Sequence, residues 1–364
     1  MIRPRDDVAL MDGYHSPQVD VAVRLNTNES PAPPPDAWRQ AYAEAVAALD
    51  WHRYPDRAAT DLRAALASLH EVEPANVFVA NGSNEVLQTL LLTYGGPGRT
   101  AAMWEPTYAL HAHISRLTGT AVVQGERAAD LSTDLAEVRR VFDEASPTIA
   151  FLCSPNNPTG MVDDEATVRQ VLALTEAADA LLVVDEAYGQ FAPWSALGLV
   201  DEHVPLVVTR TFSKTWSMAA ARLGYLIGPA AIVAELEKVV LPYHLDAAKQ
   251  LAGTRALDYV DDMNDRVAHL VEERGRLVAR LADLPVHCWP SGANFVLFRP
   301  QQAAGGDVWQ ALLDRSILVR NFSAMLGSNG GVPSGMAAGS SRSRTTNGRP
   351  DRSRAMSTSA SSSG

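Results

Sequence analysis

The 364-residue chain is predicted to fold as an α/β protein, because apolar runs of strand length alternate along it with segments of helical length. Four runs rich in β-branched and other apolar residues carry this prediction: NVFVA, TIAFLCS, ALLVVDEAY and VPLVVTRTFS. Near-continuous apolar strands are typical of a parallel sheet covered on both faces, and stretches such as DEATVRQVLALTEAA supply the covering helices. Ligands of open α/β sheets bind beyond the carboxyl ends of the strands, so the residues after each run are the first candidates for chemistry.

Composition narrows the class of protein. A chain of this length can form two domains, and its net charge of −11 argues against nucleic-acid or anionic-membrane partners. The N-terminal stretch MIRPRDDVALMDGYHSP has no apolar core of signal-peptide length, and no later run approaches the ~20 apolar residues of a membrane span, so we expect a cytoplasmic protein. Cys153 and Cys288 lie far apart and are expected to be small buried residues rather than a disulfide or a metal site.

The first run ends in FVANGSNEVLQTLLLTYG, where a strand gives way to a helix. Gly82 permits a tight turn, and Ser83 and Asn84 place polar side chains beside the free N–H groups of a helix N-terminus, which together suit an anion. An ordinary N-cap explains the same residues equally well.

The second and third runs end in polar residues that are held in place. The string SPNNPTG is a proline-rich turn that aims Asn157 in one direction. In LLVVDEAYG, Asp185 directly follows four apolar residues and Tyr188 comes three positions later. A carboxylate buried at that depth needs a cationic partner, although an Asp that closes a strand at the surface is the alternative.

The fourth run leads into TRTFSKTWSMAAARLGYLIG. Lys214 lies there among small residues, which suits an amine kept partly desolvated so that it is neutral and nucleophilic near pH 7. Thr211, Ser213 and Arg222 can hold an anion near it. An anion site, a buried carboxylate, an aimed amide, a phenol and one amine together suit a phosphorylated aromatic aldehyde bound as a Schiff base, pyridoxal phosphate.

Seven strings in order between Leu25 and Ser323 carry a family resemblance: LNTNESP, RYPD, NGSNE, SPNNPTG, DEAY, TFSK and RLGY. With them the chain resembles the fold-type I pyridoxal-phosphate aminotransferases, and within these the histidinol-phosphate aminotransferases. The resemblance implies a large domain with a mostly parallel seven-stranded sheet and a smaller α+β domain. It divides the chain into an arm with part of the small domain (1–45), a large cofactor-binding domain (46–250), an incomplete small domain (251–325) and a tail (326–364).

The resemblance also implies roles for individual residues. Lys214 is then the lysine that forms the Schiff base and moves the proton between Cα and the cofactor carbon, and Asp185 pairs with the pyridinium nitrogen. Asn157 and Tyr188 hydrogen-bond the phenolic oxygen, and Tyr108 stacks on the ring.

The remaining implied roles concern the phosphate group and the substrate. The cofactor phosphate is held by four residues of one subunit and by one residue of its neighbour, which implies a homodimer: Ser83, Asn84, Ser213, Arg222 and the neighbour's Tyr54. The substrate pocket is implied to contain Tyr14, Asn28 and Arg320, the last as a contact to a second phosphate or a carboxylate.

Three functions are compatible with these residues. The first is transamination between histidinol phosphate and 2-oxoglutarate. The second, in the same fold, is transamination of aromatic or other amino acids, or decarboxylation of phosphothreonine. The third is a form that binds the cofactor but is impaired in catalysis, which the unusual tail suggests.

Two histidines and one helix are given simpler interpretations. His111 and His113 are not expected to bind a metal, because residues two apart on a helix do not share a face; they are interpreted as surface histidines or as supports for a site residue. The stretch PDAWRQAYAEAVAALDWHRYP is interpreted as an amphipathic helix whose aromatic residues pack.

The C-terminal tail departs from the family pattern, which continues with a strand of the type Gly-Cys-Leu-Arg-Val and a final helix. From Leu326 onward the chain has five arginines and one aspartate, a net charge of +4, and few aliphatic residues, so the remainder carries −15. Codons for Gly331 to Gly335 read one base later can spell Gly-Cys-Leu-Arg-Val. A frameshift and a native disordered tail are both compatible with the sequence, and in either case the second substrate-binding arginine of the family is absent.

Overall fold

A computed structural model of the chain describes residues 2–11, 13 and 18–323. Two subjects of the sequence analysis, Tyr14 and the tail 326–364, lie outside the described residues. Within them the architecture is α/β, with a seven-stranded mixed sheet, helices on both of its faces and two small two-stranded sheets. The predicted fold class is confirmed.

The strands in chain order are β1 (Val23–Arg24), β2 (Val77–Ala80), β3 (Thr100–Glu105), β4 (Ala121–Glu126), β5 (Ile149–Cys153), β6 (Leu181–Asp185), β7 (Leu206–Thr211), β8 (Gly224–Ile227), β9 (Val286–Cys288), β10 (Phe298–Pro300) and β11 (Ile317–Leu318). The four runs that predict strands form β2, β5, β6 and β7. The large sheet has the order β2-β8-β7-β6-β5-β3-β4. Only β8 runs opposite to the other six strands, because it is antiparallel to both of its neighbours.

The α-helices in the described chain are α1 (Asp6–Ala9), α2 (Asp36–Ala47), α3 (Thr60–His70), α4 (Ser83–Tyr94), α5 (Leu110–Leu117), α6 (Leu135–Ala145), α7 (Glu165–Ala177), α8 (Ala230–Val239), α9 (Ala247–Ala256), α10 (Val260–Leu281) and α11 (Gly305–Leu313). The predicted amphipathic helix is α2, in which Trp38 and Tyr42 stack with ring centroids 5.0 Å apart. Each helix in the described part of the chain is too short or too polar to cross a membrane.

The packing of the core explains why the central strands β5, β6 and β7 are buried at every position and mostly apolar. Ile149 and Phe151 of β5 pack with α4, α5 and α8, whereas Ala150 and Leu152 of the same strand pack with α6 and α7. Successive side chains of a strand point to opposite faces, so a sheet covered on both sides buries all of them. The same packing holds the strand ends in fixed positions.

The two small sheets are built from the ends of the described chain. β1 pairs in parallel with β11, and β9 pairs antiparallel with β10. The pairing of β1 with β11 brings the segment that follows Arg24 close to the segment that follows Leu318. Both segments reach the site described next.

Candidate active site

The carboxyl ends of six strands lie at one edge of the large sheet, because β8 alone is reversed. A cavity of about 1380 Å³ opens at this edge and extends toward the small sheets. Eleven of the predicted site residues line it: Asn28, Ser83, Asn84, Tyr108, Asn157, Asp185, Tyr188, Ser213, Lys214, Arg222 and Arg320. The sheet therefore brings together residues that are far apart in the sequence.

Lys214 lies three residues after the end of β7 and points into this cavity. Its Nζ donates a hydrogen bond of 2.8 Å to the carbonyl oxygen of Thr27 and lies 5.6 Å from the ring centroid of Tyr188. Burial lowers the pKa of the Lys214 amine to about 8; the charge of Glu29 opposes this shift and that of Arg222 adds to it. An amine with this pKa is substantially neutral near pH 8 and can act as a nucleophile.

Asp185 is the last residue of β6, and only 1% of its surface is exposed. One carboxylate oxygen, Oδ2, lies 3.0 Å from Nε2 of the fully buried His111, and the other accepts a hydrogen bond from the backbone N–H of Ala187 at 3.1 Å. An ionised carboxylate can only accept, so His111 Nε2 is the donor. The partner that the sequence analysis requires for this buried acid is thus an imidazole, not a lysine or an arginine.

Tyr188 and Asn157 meet next to Asp185. The Tyr188 hydroxyl accepts a hydrogen bond of 3.1 Å from Asn28 Nδ2 and one of 3.5 Å from Asn157 Nδ2. The Tyr188 ring contacts that of Phe295 edge to face, with centroids 5.1 Å apart. The phenol and the amide therefore lie side by side at the cavity wall, as a shared contact to one ligand oxygen requires.

The start of α4 forms one half of an anion site. Its N-cap, Gly82, has no side chain and adopts φ +83°, so the first N–H groups of the helix remain open toward the cavity. β2 pairs with β8, which brings Arg222 to this turn, and a Cβ built on Gly82 would lie 2.8 Å from Arg222 Nη2. Arg222 Nη1 also donates to Ser213 Oγ at 3.3 Å. A guanidinium, a hydroxyl and a helix N-terminus around one space suit a phosphate group.

Tyr108 closes the side of the cavity between β3 and α4. Its hydroxyl donates to Asn84 Oδ1 at 3.2 Å, and its ring lies edge-on to His111 with centroids 5.4 Å apart. These contacts hold the Tyr108 ring beside His111, the residue that contacts Asp185. Stacking on a planar ligand is compatible with this placement.

Three of the predicted residues need separate mention. Tyr54 is 81% exposed and stacks on Tyr243 with ring centroids 4.6 Å apart, so it lies on the outer surface of this subunit. Arg320 follows β11 and lines the part of the cavity nearest the small sheets. Tyr14 lies outside the described residues.

The structure also adds residues that the sequence analysis does not assign to the site. His111, for which a surface position and a role in supporting a site residue are both left open by the sequence, is fully buried and contacts Asp185. Thr27 accepts from Lys214, and Asn294 Nδ2 donates to the carbonyl oxygen of Asn28 at 3.2 Å. The signal for His111 is its four-residue spacing from Ser115 on α5, where both are buried on one helix face. A backbone carbonyl such as that of Thr27 leaves no signal in side-chain patterns.

Comparison with known proteins identifies a family match over most of the chain. Residues 20–331 match the family described as aminotransferase class I and II. The chain belongs to this family. Among curated relatives, this aminotransferase is 44% identical over 330 residues to the histidinol-phosphate aminotransferase of Streptomyces avermitilis, covering 87% of the chain and 88% of the relative. It is also 44% identical over 325 residues to the enzyme of the same name from Thermobifida fusca, with 87% of each chain covered.

Solved structures resemble the aminotransferase in fold. The histidinol-phosphate aminotransferase of Sinorhizobium meliloti in complex with pyridoxal-5′-phosphate aligns with a TM-score of 0.79 at 23% identity, covering 88% of this chain and 89% of that one. The L-threonine-O-3-phosphate decarboxylase of Porphyromonas gingivalis aligns with a TM-score of 0.71 at 19% identity, covering 83% and 90%. At these identities the likeness establishes the shared fold and does not distinguish between the two reactions.

Proposed function

We propose that this aminotransferase exchanges an amino group between histidinol phosphate and 2-oxoglutarate, with pyridoxal 5′-phosphate as its cofactor. The relatives that carry this name, at 42–44% identity over 85–87% of the chain, support the choice of substrate. The observation that carries the proposal in the structure is the desolvated Lys214 amine, which faces the same cavity as the buried Asp185 carboxylate and the anion site at Gly82.

The donor set fits this cofactor. The space between the start of α4, Ser213 and Arg222 suits its phosphate, and the buried Asp185 carboxylate, which lines the cavity, suits a protonated ring nitrogen. Tyr188 and Asn157 suit its phenolic oxygen, and Tyr108 suits its ring face. When bound, the cofactor supplies an electron sink for the bond that is broken at the substrate Cα.

The residues of the chain then have distinct tasks. Lys214, neutral in part because it is desolvated, would take a proton from the substrate Cα onto its Nζ. Asp185, which His111 orients, would stabilise a protonated ring nitrogen of the cofactor by its charge. Tyr188 and Asn157 would adjust the basicity of the site through their hydrogen bonds to the phenolic oxygen of the cofactor. They would contribute less to lowering the activation barrier than Lys214 and Asp185.

We further propose that the protein is a homodimer in which Tyr54 reaches the cofactor phosphate of the neighbouring subunit. Its 81% exposure and its position outside the cavity lining of its own subunit agree with a role across an interface. In the substrate pocket we assign Asn28 and Arg320, and also Tyr14, on the basis of the family resemblance. Arg320 supplies positive charge for a substrate phosphate or carboxylate.

The domain division is proposed on the same basis. Residues 46–250 would form the large domain, since all seven strands of the large sheet lie between Val77 and Ile227. Residues 1–45 and 251–325 would contribute the small domain, since β1 pairs with β11 and β9 pairs with β10.

The proposed function is tested by a paired experiment on the purified full-length chain. Borohydride reduction in the presence of pyridoxal 5′-phosphate, followed by digestion and mass spectrometry, is expected to place the cofactor on Lys214. Amino transfer from histidinol phosphate to 2-oxoglutarate is then compared with transfer from phenylalanine and with release of CO₂ from phosphothreonine. Attachment to another lysine, or preference for either competing substrate, would overturn the proposal.

A further inference from the structure

The side chain of Asn156 joins the two loops that carry Tyr108 and Asn157. These loops follow β3 and β5, which are neighbours in the large sheet. Asn156 Nδ2 donates to the carbonyl oxygen of Pro106 at 2.9 Å, and its Oδ1 accepts from Thr107 Oγ1 at 3.0 Å. The link therefore lies one residue before each of two side chains that line the cavity.

The partners fix the direction in which the Asn156 amide points. The Pro106 carbonyl oxygen can only accept, so the amide nitrogen faces it and the amide oxygen faces the Thr107 hydroxyl. Nδ2 has a second acceptor in Thr159 Oγ1, at 2.9 Å. Asn156 and Thr159 are fully buried, and Thr107 is 3% exposed. A polar group that loses its partner in such a position keeps the full cost of its desolvation.

Each loop is also held by contacts of its own. In the loop after β5, the backbone N–H of Asn156 donates to the carbonyl oxygen of Met161 at 2.8 Å, and the N–H of Gly160 donates to the carbonyl oxygen of Asn156 at 2.6 Å. In the loop after β3, the backbone N–H of Thr107 donates to Glu105 Oε2 at 2.9 Å. These contacts close each loop on itself and do not use the Asn156 side chain. That side chain instead joins one loop to the other.

We propose that Asn156 is a positioning residue that sets the spacing between Tyr108 and Asn157, so that one planar ligand contacts both of them. The ligand would meet Tyr108 with its ring face and Asn157 with its phenolic oxygen. A ligand of fixed shape requires its contact groups to be held to within about 0.5 Å, and a buried side chain that ties two loops together provides such precision. This inference rests on the proposed function, because it takes the ligand to be pyridoxal 5′-phosphate.

The test is a double-mutant cycle across the two loops, measured as the dissociation constant of pyridoxal 5′-phosphate in absorbance titrations of the full chain. Thr107→Val removes the hydroxyl that donates to Asn156 and keeps the shape of the side chain. It should weaken binding by about 5-fold, and Asn157→Ala should weaken it by about 10-fold, the size of one hydrogen bond. The double variant should lose about 10-fold instead of the roughly 50-fold of independent effects. Once Asn157 is truncated, the ligand no longer has to contact both loops, so loss of the link costs nothing more.

Thr107→Ser keeps the hydroxyl and should keep the wild-type affinity. Thr175→Val is the matched control, since Thr175 is fully buried and donates to the carbonyl oxygen of Val171 within α7. Its effect on affinity should be independent of Asn157→Ala. Independent effects of Thr107→Val and Asn157→Ala, or an unchanged affinity in Thr107→Val, would overturn the inference. A wild-type chain in which borohydride fails to attach the cofactor to Lys214 would instead refute the proposed function, so the two failures are distinguishable.

Discussion

At the scale of single residues, the site depends on two ionisable groups that the fold desolvates in different ways. Lys214 is buried with a backbone carbonyl as its hydrogen-bond acceptor, which lowers the pKa of the amine to about 8. Asp185 is buried with an imidazole and a backbone N–H as donors. Burial thus favours the neutral form of the Lys214 amine.

The pH dependence of Lys214 follows from its pKa. Below about pH 8 the amine of the cofactor-free chain is protonated and unreactive, and above it the amine is neutral and nucleophilic. Modification of Lys214 by an amine-specific reagent, followed by mass spectrometry, should therefore rise with a midpoint near pH 8. Glu29→Gln should move the midpoint down, because the charge of Glu29 raises this pKa. A midpoint near 10.5, the ordinary value, would contradict the burial of Lys214.

Substitutions next to Lys214 should differ in severity. Asp185→Asn removes the charge that keeps a proton on the ring nitrogen and should reduce kcat by about 10²–10⁴-fold or more. Tyr188→Phe removes one hydrogen-bonding hydroxyl and should cost about 10-fold. Both variants should still bind the cofactor, as judged from their absorbance. Equal losses of kcat in the two variants would show that the Asp185 carboxylate does not keep the ring nitrogen protonated.

At the scale of elements, the turn from β2 into α4 controls access to the helix N-terminus. Gly82 adopts φ +83° and faces the Arg222 guanidinium. Gly98 has a nearly identical φ of +81°, but nothing lies within 4 Å of the position where its Cβ would stand. A side chain is disfavoured by the positive φ at both glycines, and only at Gly82 would its Cβ also meet a neighbouring group.

Alanine substitutions at these two glycines distinguish the effect of positive φ from the effect of contact with Arg222. Gly82→Ala and Gly98→Ala should each lower the free energy of unfolding by about 1–2 kcal/mol, since alanine is disfavoured at positive φ. Because the clash at Gly82 is with the mobile end of an arginine side chain, it should displace Arg222 rather than unfold the turn. Affinity for pyridoxal 5′-phosphate should then fall in Gly82→Ala only. Melting curves and titrations of both variants check this, and equal affinities would contradict the role of Arg222.

The sequence predicts four of the parallel strands, β2, β5, β6 and β7, because each contains an apolar run of strand length. It does not predict the reversal of β8 from periodicity, since GYLI is compatible with either direction and only pairing with β2 and β7 decides it. Residues at strand ends, such as Asp185 and Asn157, could be identified from position and residue type. The contact of His111 with Asp185 could not, because it joins α5 to β6 across the fold.

At the scale of the whole molecule, the role of Tyr54 distinguishes a dimeric site from a self-contained one. Lys214→Ala and Tyr54→Ala chains should each be weakly active alone. In a mixed dimer, the site with an intact Lys214 receives Tyr54 from the Lys214→Ala partner and should be fully functional. Transamination should therefore recover when the two variants are unfolded and refolded together. If Tyr54 served its own subunit, no site in the mixture would be intact and activity would stay low.

The order of strands in the large sheet has a consequence for how the chain is synthesised. β2 is the first strand of that sheet to leave the ribosome, but its only neighbour in the sheet is β8, the last. Ser83 and Asn84 therefore follow a strand, β2, that stays unpaired until Arg222 and Gly224 have been translated. A nascent chain can assemble β3, β4, β5 and β6 earlier, while the proposed phosphate site between α4 and Arg222 forms only at the end. A ribosome stalled before β8 would thus carry a chain in which this proposed site is not yet assembled.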